Sequence, residues 1–326
     1  MKNLVTGGSG YVGSAVVQEL LRRGQEVRCL VRDPARPGNL AGLDVELVQG
    51  DTRDPDSLRR ALAGCQRVYH LAALYAIYLP QPRLIYDINV QGTRNLLTAC
   101  LEAGVERVVH TSSQVALGAH GPAPANETAQ FNLWDTGDHY CISKYQSQQV
   151  ALEFAAKGLP VVVVNPTLPL GPRDYRPTAT GQLVLDVIKG RMPAYVDGGQ
   201  NVAHVDDVAV GHVLAMEKGR PGECYVLGAE NLTIKAFFDL VAQVGGGRSP
   251  AIRLPVSVAA TLGHGYELLS RFTGKPPLTS ASWVRVGSRH FAWDCSKAVQ
   301  ELGLPQRPAR ESIADAVAWF RQQGYL

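Results

Sequence analysis

Four side chains near the middle of the chain could move a proton and steady a developing negative charge: Ser112, Ser113, Tyr140 and Lys144. Tyr-x-x-x-Lys on a helix puts a phenol and an ammonium on one face, because residues four apart are neighbours on a helical surface. A phenol of pKa about 10 is a poor acid–base group at neutral pH, but a neighbouring ammonium and a nicotinamide cation stabilise the phenolate and lower that value. A serine hydroxyl beside it orients a carbonyl and stabilises the charge growing on its oxygen. Such a set suits hydride transfer, and either serine fits the hydroxyl role on residue type alone.

Hydride transfer needs a dinucleotide, and the N-terminus offers a place for one. Asn3, Leu4 and Val5 form an apolar run ahead of TGGSGYVG, Thr6 to Gly13, and Ala15 to Leu21 then reads as a helix closed by Gly24. Glycines at 7, 10 and 13 let backbone pass tightly from strand to helix, where free N–H groups and the helix dipole hold a pyrophosphate. A second strand, Glu26 to Val31, runs out into Arg32 and Asp33. The residue at that strand end meets the adenine ribose; the Arg32 guanidinium suits a 2′-phosphate, whereas Asp33 would accept from a free 2′-hydroxyl. The expectation is therefore NADP(H), with NAD(H) as the other candidate. A third strand, Val45 to Val48, leads into Gly50, Asp51 and Thr52, where the Asp51 carboxylate can accept from the adenine amino group. The fourth strand, Arg67 to Leu71, ends in Ala72 and Ala73, small enough to let backbone approach the cofactor. The fifth runs from Val105 to His110 and is followed by Thr111.

This alternation of strand and helix predicts a parallel sheet with helices on both faces. Past Val161 to Val164, Pro166, Pro169 and Pro172 break the pattern into a loop. Residues 181–189 read as a helix, while 251–293 show no regular α/β repeat. Residues 206–216 read as a helix returning to the first unit, with Asp206 and Asp207 capping it, and 308–322 as a closing amphipathic helix. The loop 74–82, with Tyr75, Ile77, Tyr78 and Leu79, is apolar and lacks Lys and Arg, so a substrate it met would be apolar or aromatic.

Composition bounds the rest. The 326 residues, 45% apolar and 19% charged, suffice for a large core, and a net charge of +3 spread along the chain does not describe a nucleic-acid surface. No run approaches the roughly 18 apolar residues of a membrane helix, and a strand at the extreme N-terminus leaves no room for a signal peptide. Six separated cysteines, with no C-x-x-C pair, indicate neither a disulfide framework nor a metal site. The expectation is a cytoplasmic protein with reduced cysteines, acting on a small molecule, without nucleic acid, membrane or metal. His70, His110, His204 and His212 read as structural, and Cys141 as a packed thiol.

Taken together, TGGSGYVG at 6–13, GD at 50–51, HLAA at 70–73, NVQGT at 89–93, TSS at 111–113, YCISK at 140–144, NPTLPLGP at 165–172 and HVDDVAVGH at 204–212 resemble the extended short-chain dehydrogenase/reductases, the NAD-dependent epimerase/dehydratase superfamily. The resemblance covers nearly the whole chain and implies an α/β fold: a doubly wound parallel Rossmann sheet with a smaller C-terminal substrate-binding domain. Residues 1–165 would form the cofactor-binding domain, joined again by 200–220, and 166–326 mainly the interleaved substrate domain. It further implies that Tyr11 and Val12 lie beside the pyrophosphate held by Gly7, Gly10 and Gly13, and that Ser113 rather than Ser112 is the catalytic serine, from its distance to Gly118. Tyr140 would be the proton donor or acceptor, Lys144 would hold the nicotinamide ribose, and Pro166 and Leu168 would border the nicotinamide. Family members work as monomers or homodimers.

Two departures narrow the reaction. Sugar 4,6-dehydratases place Asp-Glu after the catalytic hydroxyl residue, where this chain has Gln114 and Val115. Many nucleotide-sugar epimerases hold the substrate diphosphate with an arginine four residues before the His-Val pair; here Gln200 stands there, leaving Arg173, Lys189 or Arg191 as substitutes. LVRDP at 30–34, LPLGPRD at 168–174 and AENLT at 229–233 bring the chain nearest to dihydroflavonol 4-reductase-like enzymes and the hopanoid-associated sugar epimerases. The leading expectation is NADP(H)-dependent reduction of a ketone, or the reverse oxidation, followed by nucleotide-sugar epimerisation and then by a non-catalytic NADP-sensing role.

Overall fold

Short apolar strands separated by helices must bury both faces of their sheet, and the computed structural model shows how; it describes residues 1–76, 81–274, 277 and 279–326, with Arg271 described by its backbone alone. Strands β1 (Lys2–Thr6), β2 (Glu26–Val31), β3 (Glu46–Gln49), β4 (Arg67–His70) and β5 (Arg107–Thr111) alternate with helices. These are α1 (Tyr11–Arg22), α2 (Pro55–Leu62) and a run made of α3 (Arg83–Tyr86), a π turn at Asp87–Gln91 and α4 (Gly92–Glu102). After β6 (Gly121–Ala125) come α5 (His139–Ala156), β7 (Val161–Pro166), β8 (Leu168–Leu170), α6 (Ala179–Ile188), β9 (Ala194–Tyr195), β10 (Gly199–His204) and α7 (Val205–Lys218). The chain ends through β11 (Cys224–Leu227), β12 (Glu230–Thr233), α8 (Ile234–Gly245), β13 (Ile252–Arg253), α9 (Val256–Thr273), α10 (Ala281–Gly287), β14 (Phe291–Trp293) and α11 (Ala309–Gln322).

Seven parallel strands form the main sheet in the order β11-β7-β5-β4-β1-β2-β3. Successive side chains on a strand point to opposite faces. Accordingly Leu4, Val68, Val108, Val161 and Val163 enter one apolar layer, and Val5, Tyr69, Val109, Val162 and Val164 the other. The strand order reverses at β1, which leaves a crevice outside the carboxyl ends of β1 and β4, the usual ligand site of a doubly wound sheet. This is the expected Rossmann architecture.

A smaller unit holds the three-stranded sheet β12-β10-β8 and a third apolar cluster, in which Phe237 and Val241 of α8 meet Ile313 and Phe320 of α11. Helix α7 leaves that unit and packs on α1, its Val205, Val208 and Val213 joining Val16, Val17 and Leu20. Asp206 and Asp207 do not cap it. His204 does, accepting from Asp206 N, while Asp207 holds the Arg307 guanidinium. Between residues 251 and 293 the chain makes a helix pair, α9 on α10, in which Gly263 lets the two backbones meet: a Cβ there would stand 2.7 Å from Ala281 N.

The first turn of the glycine loop is as tight as its spacing predicts. A Cβ on Gly13 would lie 2.1 Å from the Gly7 carbonyl oxygen, and one on Gly7, at φ 74°, would lie 2.6 Å from Ala72 N. Gly13→Ala must push β1 and α1 apart, and we expect a loss of about 1–3 kcal/mol of stability, read as a lower denaturation midpoint in urea. An unchanged midpoint would contradict the packing described.

Candidate active site

The strand-to-helix turn after β1 is built to receive an anion. Gly10 N-caps α1 without a side chain, and no acidic residue stands in the first turn, so backbone N–H groups and the positive helix end face the crevice. A cavity of about 260 Å³ opens there, lined by Gly7, Gly10, Arg32, Asp51 and Thr52 together with Leu71, Ala72 and Ala73. Side chains from four strand ends thus meet at one cleft, as their places in the sequence predicted. The side chains of Tyr11 and Val12 do not join this lining. Val12 packs on the core, and Tyr11 turns toward Asp174, Arg173 and Asp206, where burial raises its phenol well above the ordinary value. What these two residues offer an anion is backbone N–H.

Asp51 is salt-bridged to Arg53. Both carboxylate oxygens take hydrogen bonds from the Arg53 guanidinium, at 3.0 and 2.8 Å, and this pairing holds its pKa below the usual range. Arg53, two residues on, was not singled out from the sequence, although an arginine at that spacing is the available signal.

The proton-handling group assembles where α5 meets the end of β5. Asp138 N-caps α5, accepting from Cys141 N at 2.9 Å, and the helix then presents Tyr140 and Lys144 one turn apart. Lys144 is buried, and its Nζ donates to the Thr111 carbonyl at 2.7 Å. No carboxylate offsets the lost hydration, and burial pushes its pKa down to about 8. Burial likewise raises the Tyr140 phenol, partly offset by the Ser113 hydroxyl beside it. The two serines part company here: Ser113 stands beside the Tyr140 phenol, its Oγ accepting from Val115 N at 3.4 Å, whereas Ser112 is buried with no hydrogen-bond partner for its hydroxyl among the described residues. Thr111 also bonds His212 through its hydroxyl, at 2.9 Å.

Beneath this group lies a polar layer. His70 bridges the Thr6 hydroxyl, at 2.7 Å, and the Thr93 hydroxyl, at 2.9 Å, and burial pushes it down to about 3, so it is neutral. His110 lies beside it, the two rings tilted at 43° with centroids 5.3 Å apart. Asn89, in the π turn, closes the layer: its amide accepts from Leu74 N at 2.6 Å and donates to Leu74 O at 3.0 Å and Ser143 Oγ at 2.9 Å, clamping the 71–75 loop to α5.

That clamp delivers Tyr75 to the site. Its ring meets Tyr140 edge-on at 4.8 Å between centroids and Trp283 of α10 at 5.9 Å. Trp283 had no local signal, since it arrives from a distant helix. Tyr78 lies outside the described residues. Arg173 sits away from the phenol at φ 72°, ion-paired with Asp206, its Nε buried and unpartnered. Leu168 packs into the third apolar cluster, and Pro166 ends β7. Gln200 is held by Gln114: its Oε1 accepts from Gln114 Nε2 at 3.0 Å, and Gln114 Oε1 accepts from the Trp293 indole at 3.0 Å. Among the described residues, no group of three or more His, Cys, Asp or Glu could hold a metal, and no helix is long and apolar enough to cross a membrane.

The sequence profile of the NAD dependent epimerase/dehydratase family matches residues 3–228. A Synechocystis sp. protein provisionally named dihydroflavonol 4-reductase is 39% identical over 327 residues, spanning 99% of this chain and 95% of that one. Sterol demethylase protein B of Methylococcus capsulatus is 36% identical over 328 residues, spanning 100% of each. The crystal structure of gox2253 superposes with a TM-score of 0.87 at 43% identity over 99% of both chains.

The contrast between the serines is directly testable. Ser113→Ala should lower turnover of a reducible ketone by about 100-fold or more, and Ser112→Ala by no more than about twofold, since its hydroxyl makes no hydrogen bond among the described residues. Equal losses in the two variants would reassign the hydroxyl.

Proposed function

This chain belongs to the NAD dependent epimerase/dehydratase family of enzymes, and on that premise we propose that it reduces the carbonyl of an apolar ketone with NADPH, running in reverse as an alcohol oxidation. The observation that carries the proposal is the convergence of Ser113, Tyr140 and Lys144 under an aromatic wall of Tyr75 and Trp283.

The residues fit a nicotinamide dinucleotide: the cradle at Gly7 and Gly13 has no room for a Cβ, and the first turn of α1 faces it with unopposed N–H groups. In this reading Gly7, Gly10 and Gly13 hold the pyrophosphate, Arg32 the 2′-phosphate, Asp51 and Thr52 the adenine end, Leu71, Ala72 and Ala73 the facing wall, and Lys144 with Thr111 the nicotinamide ribose. Pro166 and Leu168 border the nicotinamide. When bound, the cofactor supplies the hydride.

The protein's own part is acid catalysis. Ser113 donates to the substrate oxygen and steadies the charge growing on it. Tyr140, which burial keeps protonated, gives its proton to the same oxygen, so that a carbonyl becomes a secondary alcohol. The buried Lys144 ammonium stabilises the phenolate left behind. Tyr75 and Trp283 exclude water and favour an apolar substrate; Arg173, held by Asp206, borders it from further out. We read the working form as a cytoplasmic monomer or homodimer.

Epimerisation of a nucleotide sugar is the competing activity in this family. It lacks support at the diphosphate position, where Gln200 is tied to Gln114. A role limited to sensing NADP would leave the convergence on Tyr140 unexplained.

Assay of NADPH and NADH against a ketone panel, with a nucleotide-sugar epimerase assay in parallel, should show NADPH-dependent reduction of apolar ketones. Arg32→Ala should raise KM for NADPH about 10- to 100-fold, the size expected for losing a charged hydrogen bond, with KM for NADH little changed. Equal or better use of NADH by the unaltered enzyme would defeat the role of Arg32, and sugar turnover without net NADPH oxidation would defeat the reduction itself.

A further inference from the structure

Helix α9 turns its apolar side outward. Val258, Leu262, Tyr266, Leu269 and Phe272 recur at intervals of four, four, three and three residues, so that at 3.6 residues per turn they make one stripe. Leu262 is 53% exposed, Leu269 55% and Phe272 82%, and Leu268 widens the stripe. The opposite side, Ala259, Ala260 and Gly263, is the side buried against the protein. A continuous exposed apolar stripe of this kind on a folded protein marks a surface that something covers.

Charge says what covers it. Residues 248–275 carry Arg248, Arg253, Arg271 and Lys275 against one acid, Glu267, and of these cations Arg253 is ion-paired with Asp197. That acid points inward, its carboxylate accepting from Ala281 N at 2.8 Å and meeting His264 at 3.2 Å. An apolar stripe within a basic segment is the pattern of a helix that lies in the headgroup region of an anionic bilayer. A second copy is a poor occupant, because a symmetric contact would bring the same basic segment against itself.

We propose that α9 seats the enzyme on the surface of a bilayer containing anionic phospholipid. The helix lies on the membrane and does not cross it. Its packing partner α10 leads to the site: Ser282 donates to the Asp138 carboxylate that caps α5, at 3.4 Å, and Trp283 stands against Tyr75. An apolar ketone dissolved in the bilayer would thus enter beside the aromatic wall. That delivery rests on the reductase reading; the docking itself does not.

Co-sedimentation of the full chain with phosphatidylcholine vesicles, with and without phosphatidylglycerol, tests the docking. The wild type should pellet with the anionic vesicles at least about tenfold better than with the neutral ones, and added salt should weaken this. The double variant Leu262→Glu, Leu269→Glu, at exposed positions, should lose about tenfold or more of this binding while turnover of a water-soluble ketone stays within about twofold. Wild type left in the supernatant, or a double variant that binds as well, would overturn the proposal. So would light scattering that shows a dimer which the double variant splits, since a second copy would then cover the stripe. Vesicle binding by an enzyme inactive on ketones would support docking and defeat only the delivery of substrate.

Discussion

A buried ammonium with no carboxylate partner holds this site together. Lys144 lies inside the protein, and its hydrogen bond to the Thr111 carbonyl fastens α5 to the end of β5. Taking a charged amine out of water is costly unless polar groups receive it, and the drop of its pKa to about 8 records that cost. The position of Lys144 then sets the rest. Helical spacing places Tyr140 one turn back along the same face, and chain continuity places Ser113 two residues beyond Thr111, on the side of the phenol.

The sheet makes this geometry rigid. Valines at 108, 109 and 161–164 are fully buried in two apolar layers, so β5 and β7 have little freedom to shift. Across the crevice, Gly7 and Ala72 approach so closely that no side chain fits between them. Asn89 transmits this rigidity to the substrate side by bonding both the 71–75 loop and Ser143 of α5. A single asparagine therefore sets where Tyr75 stands relative to Tyr140.

Much of this was legible because local spacing decided it. Glycines at 7, 10 and 13 and the Tyr140–Lys144 pair act through one helical turn each, and strand ends at Arg32, Asp51 and Ala72 converge because a parallel sheet aligns its carboxyl ends. The choice of Ser113 over Ser112 rested on a family likeness, and the structure adds that Ser113 lies beside the Tyr140 phenol while the Ser112 hydroxyl is buried. What depended on distant partners was not legible. Trp283 arrives from α10, and Arg307 draws Asp207 away so that His204 caps α7. The outward face of α9 was hidden for another reason: small residues on its buried side and large apolar ones on its exposed side reverse the usual pattern.

The central claim is that hydride leaves the cofactor for good and that Tyr140 supplies the matching proton. The most direct test is to follow deuterium from NADPH labelled at its transferable hydrogen. The account predicts one deuterium on the carbinol carbon of the product for each cofactor oxidised, and none when Tyr140→Phe is used. A sugar epimer formed with no deuterium incorporated and no cofactor consumed would contradict it.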